Sequence, residues 1–367
     1  MLIKDLGAIG IVRDLAPLEL PSNAFSSGQN VRFTSRGVEQ VYGYGPILGQ
    51  TQISAANWLR VFPPVTSPLL LYGDSSRIFC VDGVTHTDIT RASGNYSGGT
   101  EDRWQDTFLS GIPIFNLSTD IPQIWAPIAA GAKLVDLPYW PVNWRCEFIR
   151  SYKNMLIAGN MTISGFNYPY RIVWSHPAEP GTVPVSWDVE DPAYDTGARE
   201  LGETSDVVVD GLDLGNLFIV YREESTYAFQ YIGAPNFFAS SKLLRDGVGL
   251  LAKGCVAQIP LGHLVVTRSD VIVHNGSLNS DQSILERRWK KRLFSTLDDD
   301  NFKNTFLLVN QPEKEVWICF PELGSTYATK ALIWNWASGG LGEMDLPNVP
   351  YITPGLKIDS SEGDAWG

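Results

Sequence analysis

Apolar positions along this chain come in short runs cut by turn residues, and one unit recurs: apolar strand, short polar turn, apolar strand. Residues 69–81 read Leu-Leu-Leu-Tyr, then Gly-Asp-Ser-Ser, then Arg-Ile-Phe-Cys-Val. The unit returns over 112–125 around Ser118, Thr119 and Asp120, and more loosely over 155–174, turning through 159–167. Further copies run over 217–229 around Glu223, Glu224 and Ser225, and over 264–274 around Arg268, Ser269 and Asp270. The last covers 306–320 around Gln311, Pro312 and Glu313. A hairpin over 31–42, turning at Ser35 to Gly37, precedes them all. Most copies are followed by a third apolar segment, such as 133–137 or 331–336.

Turn centres lie about 44 residues apart, with one interval of about 61, and a strand-rich period of roughly 40–50 residues is the mark of a β-propeller. One small antiparallel sheet cannot cover both its faces, whereas sheets stacked side by side bury them and leave short edges. The pattern therefore predicts an all-β fold, a β-propeller of six or seven blades, against the alternative of a large sandwich or irregular all-β enzyme. An N-terminal attachment segment and hairpin over 1–50 leads into a propeller body over 51–350. A C-terminal extension over 351–367 follows, read either as leading toward a distal region beyond this sequence or as the end of a compact protein.

The long interval is filled by an insertion at 176–205, rich in proline and in acidic residues from Asp188 to Glu203, without apolar periodicity. Such a loop is expected to project from the blade core toward a neighbour or the lumen. A second segment, near 280–305, departs from the strand rhythm. Leu285, Trp289 and Leu293 recur every four residues as a helical stripe, with Ser280 and Asp281 as its start. Ser295 and Asp298 have the spacing of a capping box for a second short helix. Between the stripe residues stand Arg287, Arg288, Lys290, Lys291 and Arg292. This basic cluster is either a solvated helix face or a docking surface for an acidic partner or nucleic acid.

Composition narrows the class. The chain of 367 residues is 44% hydrophobic, 11% aromatic and 19% charged, with 34 Gly and 23 Pro. That apolar content excludes a disordered chain, and the turn residues fit an all-β protein. Charges near the start and at Lys253 and His263 leave no apolar stretch for a signal peptide or a membrane span. A net charge of −12 disfavours a broad nucleic-acid-binding surface. Cys80, Cys146, Cys255 and Cys319 stand far apart in apolar runs, so they read as buried free thiols rather than zinc ligands.

Enzymatic motifs are missing where spacing can test them. There is no phosphate loop and no Gly-x-Ser-x-Gly elbow. Gly43, Gly45 and Gly49 do not fit the dinucleotide fingerprint, and Pro46 sits where its helix would begin. His86, His176, His263 and His274 are never at helical metal-binding spacing, and Asp298, Asp299 and Asp300 suit a helix start better than calcium. No catalytic, cofactor or metal residue is therefore assigned. A glycoside-hydrolase propeller, with two carboxylates and tryptophan platforms, is the remaining enzymatic alternative. Tryptophans recurring on strands are more often core.

Three stretches together resemble a known family. They are Leu20-Pro21-Ser22-Asn23-Ala24-Phe25 with Gln29-Asn30-Val31-Arg32-Phe33 and Gly37-Val38; Tyr170-Arg171-Ile172-Val173-Trp174-Ser175 with Trp187-Asp188; and Ala331-Leu332-Ile333-Trp334-Asn335-Trp336 with Asp345-Leu346-Pro347. In that order they resemble the tail nozzle, or tail tubular protein B, of short-tailed bacteriophages. The resemblance implies a structural virion-tail protein, assembled in the host cytoplasm as a homo-oligomeric ring of six copies below an adaptor or portal-proximal protein. Tail fibre proteins are further implied partners, and genomic DNA would pass through the lumen without specific binding. A phage host-attachment protein binding a surface glycan or fibre is the alternative. Because each phosphate contact would have to break for DNA to advance, the basic cluster is expected away from the lumen, against a neighbour or adaptor.

Overall fold

The computed structural model describes residues 7–34, 37–41, 51–53, 55–62 and 68–354, and the backbone of Lys357–Asp359 and Gly363–Asp364. The expected turn at Ser35, the glycines 43, 45 and 49 with Pro46, and the last three residues of the C-terminal extension lie outside the described residues. The chain divides into two compact units, one of residues 48–249 and one of 1–47 with 250–367.

The first unit holds four antiparallel meanders of four strands each. Repeat 1 is Trp58–Phe62, Leu69–Gly73, Ile78–Asp82 and Thr85–Asp88. Repeat 2 is Gln105–Leu109, Ile112–Asn116, Gln123–Ile124 and Val135–Asp136. Repeat 3 is Trp144–Tyr152, Met155–Ile163, Phe166–Trp174 and Gly197–Glu200, and repeat 4 is Val208–Leu214, Leu217–Arg222, Thr226–Gly233 and Phe237–Lys242. The middle two strands of each are the hairpins predicted from the apolar pattern. In repeat 3 the turn is tighter than expected. It is Ser164–Gly165, while Gly159 lies inside a nine-residue strand.

Successive sheets meet through apolar side chains, which is where their burial stabilises the fold. Trp58, Phe62 and Leu71 of repeat 1 pack with Phe115 and Trp125 of repeat 2. Leu109 and Ile114 of repeat 2 pack with Ile149 and Met161 of repeat 3. Phe148 and Ile172 of repeat 3 pack with Phe218 and Phe229 of repeat 4. Glycine makes room for these rings: a Cβ on Gly159 would stand 2.3 Å from the Phe148 ring on the neighbouring strand of its own sheet, and one on Gly211 would stand 2.5 Å from the Phe218 ring of its own sheet and 3.0 Å from the Phe148 ring of repeat 3. The strand tryptophans Trp58, Trp174, Trp317 and Trp334, and Trp125 just after a strand, are core.

The insertion differs from the reading of 176–205 as a projecting loop. Its last part, Gly197–Glu200, is the fourth strand of repeat 3, paired with Arg171 to Trp174. Its irregular part is pinned down by Ala178, Val183 and Trp187, all buried in the core between repeats 2 and 3. Trp187 meets Trp140 edge to face at 4.6 Å. Three apolar residues spread over ten positions make no period, so the anchoring was invisible to periodicity.

The second unit holds repeat 5, Val256–Ile259, Gly262–Val266, Val271–His274 and Gln282–Ser283. It also holds an eight-stranded sheet. The centre of that sheet is the meander of repeat 6, Phe306–Asn310, Glu315–Phe320, Ala328–Asn335 and Leu341–Val349. Strands Gly10–Ile11, Ala24–Phe25, Val31–Thr34 and Gly37–Gln40 extend it beyond Leu341–Val349. Gly10 pairs with Leu341 in parallel, and Val31 pairs with Glu343 antiparallel. The predicted hairpin over 306–320 is thus the first and second strands of its meander, unlike the others, which are second and third. Its even spacing came from a shifted register.

Consecutive up-and-down meanders, with apolar cores shared between repeats 1 and 2, 2 and 3, and 3 and 4, make this an all-β protein of the β-propeller class. The expectation of six or seven blades is not matched as such, because among the described residues five sheets are four-stranded and the remaining meander is part of an eight-stranded sheet. All four cysteines are free and buried, and burial pushes the Cys80 thiol up to about 12.

Candidate partner-binding site

The basic segment begins where repeat 5 ends. Gln282 and Ser283 are taken into the sheet as its fourth strand, with Ile284 N–H donating to Val271 at 3.0 Å. The expected helix start at Ser280 is therefore not available. Arg287 then adopts a left-handed φ of 57°, which no helix accepts, and helix α1 runs only over Lys290–Thr296. Leu285, Trp289 and Leu293 are all buried, but only Leu293 lies within the helix, so the expected helical stripe is shorter than its spacing suggests. Ser295 is not the cap of a second helix, for it lies within α1 and donates to the Arg292 carbonyl at 3.0 Å. Asp298 instead caps a turn, accepting from Asp300 N–H at 3.1 Å, Asn301 N–H at 2.8 Å and Gly324 N–H at 2.7 Å. Those four contacts, counting the Asn301 amide, hold its carboxyl below the usual range.

A seven-residue helix is marginal by itself. Its first turn carries Lys290, Lys291 and Arg292, which the partial positive charge of a helix N-terminus disfavours. The opposing charge comes from the far end of the chain. The Asp14 carboxylate accepts from Lys291 N–H at 2.9 Å and Arg292 N–H at 3.0 Å. Ile11 accepts from the Trp289 indole at 3.0 Å, and Arg13 lies over the Trp289 ring at 5.7 Å while pairing with Glu343 at 2.7 Å. Arg13 and Asp14 N–H groups both donate to the Arg288 carbonyl.

The five cations do not form one outward face. Arg288 is turned inward, donating to Gly339 O at 2.8 Å and Ile284 O at 2.6 Å, and burial lowers its affinity for its proton. Lys290 pairs with Asp270 at 2.7 Å. Arg287, Lys291 and Arg292 remain exposed, and their side chains make no ion pair with another described residue. These three are the part of the cluster that a partner can reach.

Chemistry elsewhere is structural. Asp210 is fully buried between Arg150 at 2.9 Å and Gln105 at 2.9 Å, joining repeats 2, 3 and 4. His263 and His274 face each other across neighbouring strands with rings 5.5 Å apart, a pairing that a search for helical spacing could not find. Burial pushes His274 down to about 4, so it is neutral at ordinary pH. Among the described residues no group of three or more His, Cys, Asp or Glu is placed to hold a metal ion, and no helix is long and apolar enough to cross a membrane.

A third cluster joins the N-terminal hairpin to repeat 6. Arg32 stands 3.3 Å from Glu39, 3.7 Å from Glu313 and 4.0 Å from Glu315. Glu315 is fully buried, and burial pushes its carboxyl up to about 7 despite the Trp317 indole N–H at 3.3 Å and the Arg32 charge. Neither this cluster nor the Asp14 cap carries a sequence signal, since each joins residues hundreds of positions apart.

No protein-family model matches the chain, and no curated protein matches it. The computationally designed Ika8 protein is similar at 12% identity and a TM-score of 0.46, covering 84% of this chain and 92% of that one. The extracellular domain of a one-component system from B. thetaiotaomicron is similar at 13% identity and a TM-score of 0.43. That match covers 80% of this chain but only 34% of the other.

Proposed function

We propose that this chain is a non-enzymatic structural protein of a bacteriophage tail, a nozzle-like component that works in a ring of copies below an adaptor and surrounds the path of ejected DNA. The observation that carries the reading concerns the resembling stretches. The N-terminal one and the C-terminal one, about 300 residues apart in sequence, are adjacent strands of one sheet: Val31 pairs with Glu343, Asp345 N–H donates to Asn30 at 3.0 Å, and Gln29 bonds Asp345. Phrases that share one sheet form a single structural unit, which is a stronger basis for resemblance than scattered phrases.

The same reading counts repeat 6 as a sixth blade widened by N-terminal strands, so that the propeller has six. The exposed Arg287, Lys291 and Arg292 then serve as a docking face for acidic groups of a neighbouring copy or adaptor. Charges of this kind steer association and fix register. The acidic balance of the chain keeps DNA from adhering. Negative-stain electron microscopy of the purified chain, alone and with its adaptor, tests the proposal: closed rings with an axial opening support it, and single particles under both conditions contradict it.

A further inference from the structure

The irregular part of the repeat 3 insertion is a heavily anchored loop. Beyond its apolar anchors, Ser175 Oγ accepts from Leu156 N–H at 3.0 Å and donates to the His176 carbonyl at 2.9 Å. His176 N–H donates to Ser186 O at 3.0 Å, and Ala178 N–H donates to Asn154 O at 2.7 Å. The two ends of the loop are stitched together where Asp195 N–H donates to His176 Nδ1 at 3.0 Å, and Thr196 bonds the Asp188 carbonyl. This much internal bonding is more than a connection between two strands requires, and long ordered loops of this kind are commonly functional.

What the loop builds is a concavity of about 450 Å³ against the turns of two neighbouring hairpins. The turn between the first two strands of repeat 2 supplies Ser110, the corresponding turn of repeat 3 supplies Asn154, and the loop supplies His176, Glu179 and Asp195. The volume falls within the roughly 300–1,000 Å³ of small-ligand sites. The Ser110 hydroxyl, the Asn154 amide and the Glu179 and Asp195 carboxylates make no side-chain hydrogen bond to another described residue. Because His176 Nδ1 accepts a backbone N–H, the neutral ring carries its proton on Nε2 as a donor.

This set selects a ligand by its hydrogen-bonding groups. Two carboxylates repel anions. The imidazole and amide N–H donors, set beside four carboxylate oxygens, require a ligand that both donates and accepts, which an ammonium does not. Proline faces at Pro177 and Pro180 supply apolar wall. We infer that this concavity is a binding site for a neutral polyhydroxylated ligand, a saccharide of one or two rings. The inference rests on repeats 2 and 3 and is independent of the tail-structural proposal.

Saturation-transfer NMR on the full chain, with glucose, galactose, N-acetylglucosamine and maltose as probes, lysine methyl ester as a control and inorganic phosphate as a control read through its displacement of those ligands, tests it. At least one sugar is expected to bind, and Glu179→Gln with Asp195→Asn should weaken that binding at least tenfold with an unchanged melting temperature. Asn154→Ala, a change at an exposed turn, should weaken it as well. Absence of binding by all four sugars, sugar binding indifferent to both variants, or binding of the amine or phosphate control in preference to every sugar would each overturn the assignment.

Discussion

The Asp14 carboxylate caps the helix that contains Lys291, 277 residues away, accepting that residue's backbone N–H at 2.9 Å. The acid thus neutralises a helix N-terminus crowded with cations; the cap and the Trp289 indole bond to Ile11 tie the start of the chain to the segment after repeat 5, and the Arg13–Glu343 pair ties it to repeat 6. Asp14→Ala should lower stability by about 0.5–2 kcal/mol, the usual cost of losing an N-cap. Urea unfolding measures this, and an unchanged midpoint would show that α1 is held by Trp289 and Leu293 alone.

The repeat 3 loop should behave as core. Trp187→Ala should cost about 3–5 kcal/mol, as for other large buried aromatic residues. Removal of 179–195 should give a chain that no longer unfolds cooperatively. Circular dichroism melts decide the matter, and a loop-deleted protein melting like the parent would return the insertion to the status of a projecting loop.

The sequence pattern disclosed more of the fold than of the site. Strands of four to nine residues with apolar runs were legible because burial on both faces leaves that mark, and the hairpin turns at Asp74 to Arg77 and Glu223 to Ser225 carry turn residues. The burial of Leu285, Trp289 and Leu293 was legible in their spacing, though only Leu293 lies within the helix. The helix start was not, because Gln282 and Ser283 have a strand partner that local propensity cannot anticipate. Nor could sequence separate Arg288, turned inward by two carbonyl acceptors, from its exposed neighbours Arg287 and Lys291. Long-range bonding decides such outcomes, and it leaves no periodic trace.

Arg288→Glu should differ from its neighbours' reversals. It would leave the Gly339 and Ile284 carbonyls facing a buried carboxylate, a loss on the order of 3–5 kcal/mol for a broken buried charged contact. Reversal of Arg287 alone should leave the melting temperature within about a degree of the parent, as for an exposed residue away from packing. Equal melting of the two variants would contradict the inward placement of Arg288.

The Glu315 carboxyl gives a pH dependence of definite sign. Its folded-state value of about 7 exceeds the ordinary 4.5, so the folded state holds the proton more tightly. The stabilisation linked to that proton is complete below about 4.5 and is lost as pH rises through about 7. His274, lowered from 6.5 to about 4, runs oppositely, losing its contribution as pH falls through that range. The two slopes offset each other in the parent. Glu315→Gln removes one of them, so the variant should gain stability relative to the parent between pH 5 and pH 8. Melting curves at both pH values check this, and parallel curves would indicate that Arg32 keeps Glu315 ionised throughout.

Native mass spectrometry of the purified chain and its Arg287→Glu, Lys291→Glu, Arg292→Glu variant tests the assembly claim most directly. The parent, a 40.5-kDa protomer, should give one discrete closed oligomer at low salt, of about six copies if the ring follows the expected symmetry. The variant should remain folded and fall to smaller species, with the parent's assembly weakening as ionic strength rises. A parent that stays monomeric at every concentration and in the presence of its adaptor, or a triple variant that assembles as the parent does, would contradict the account.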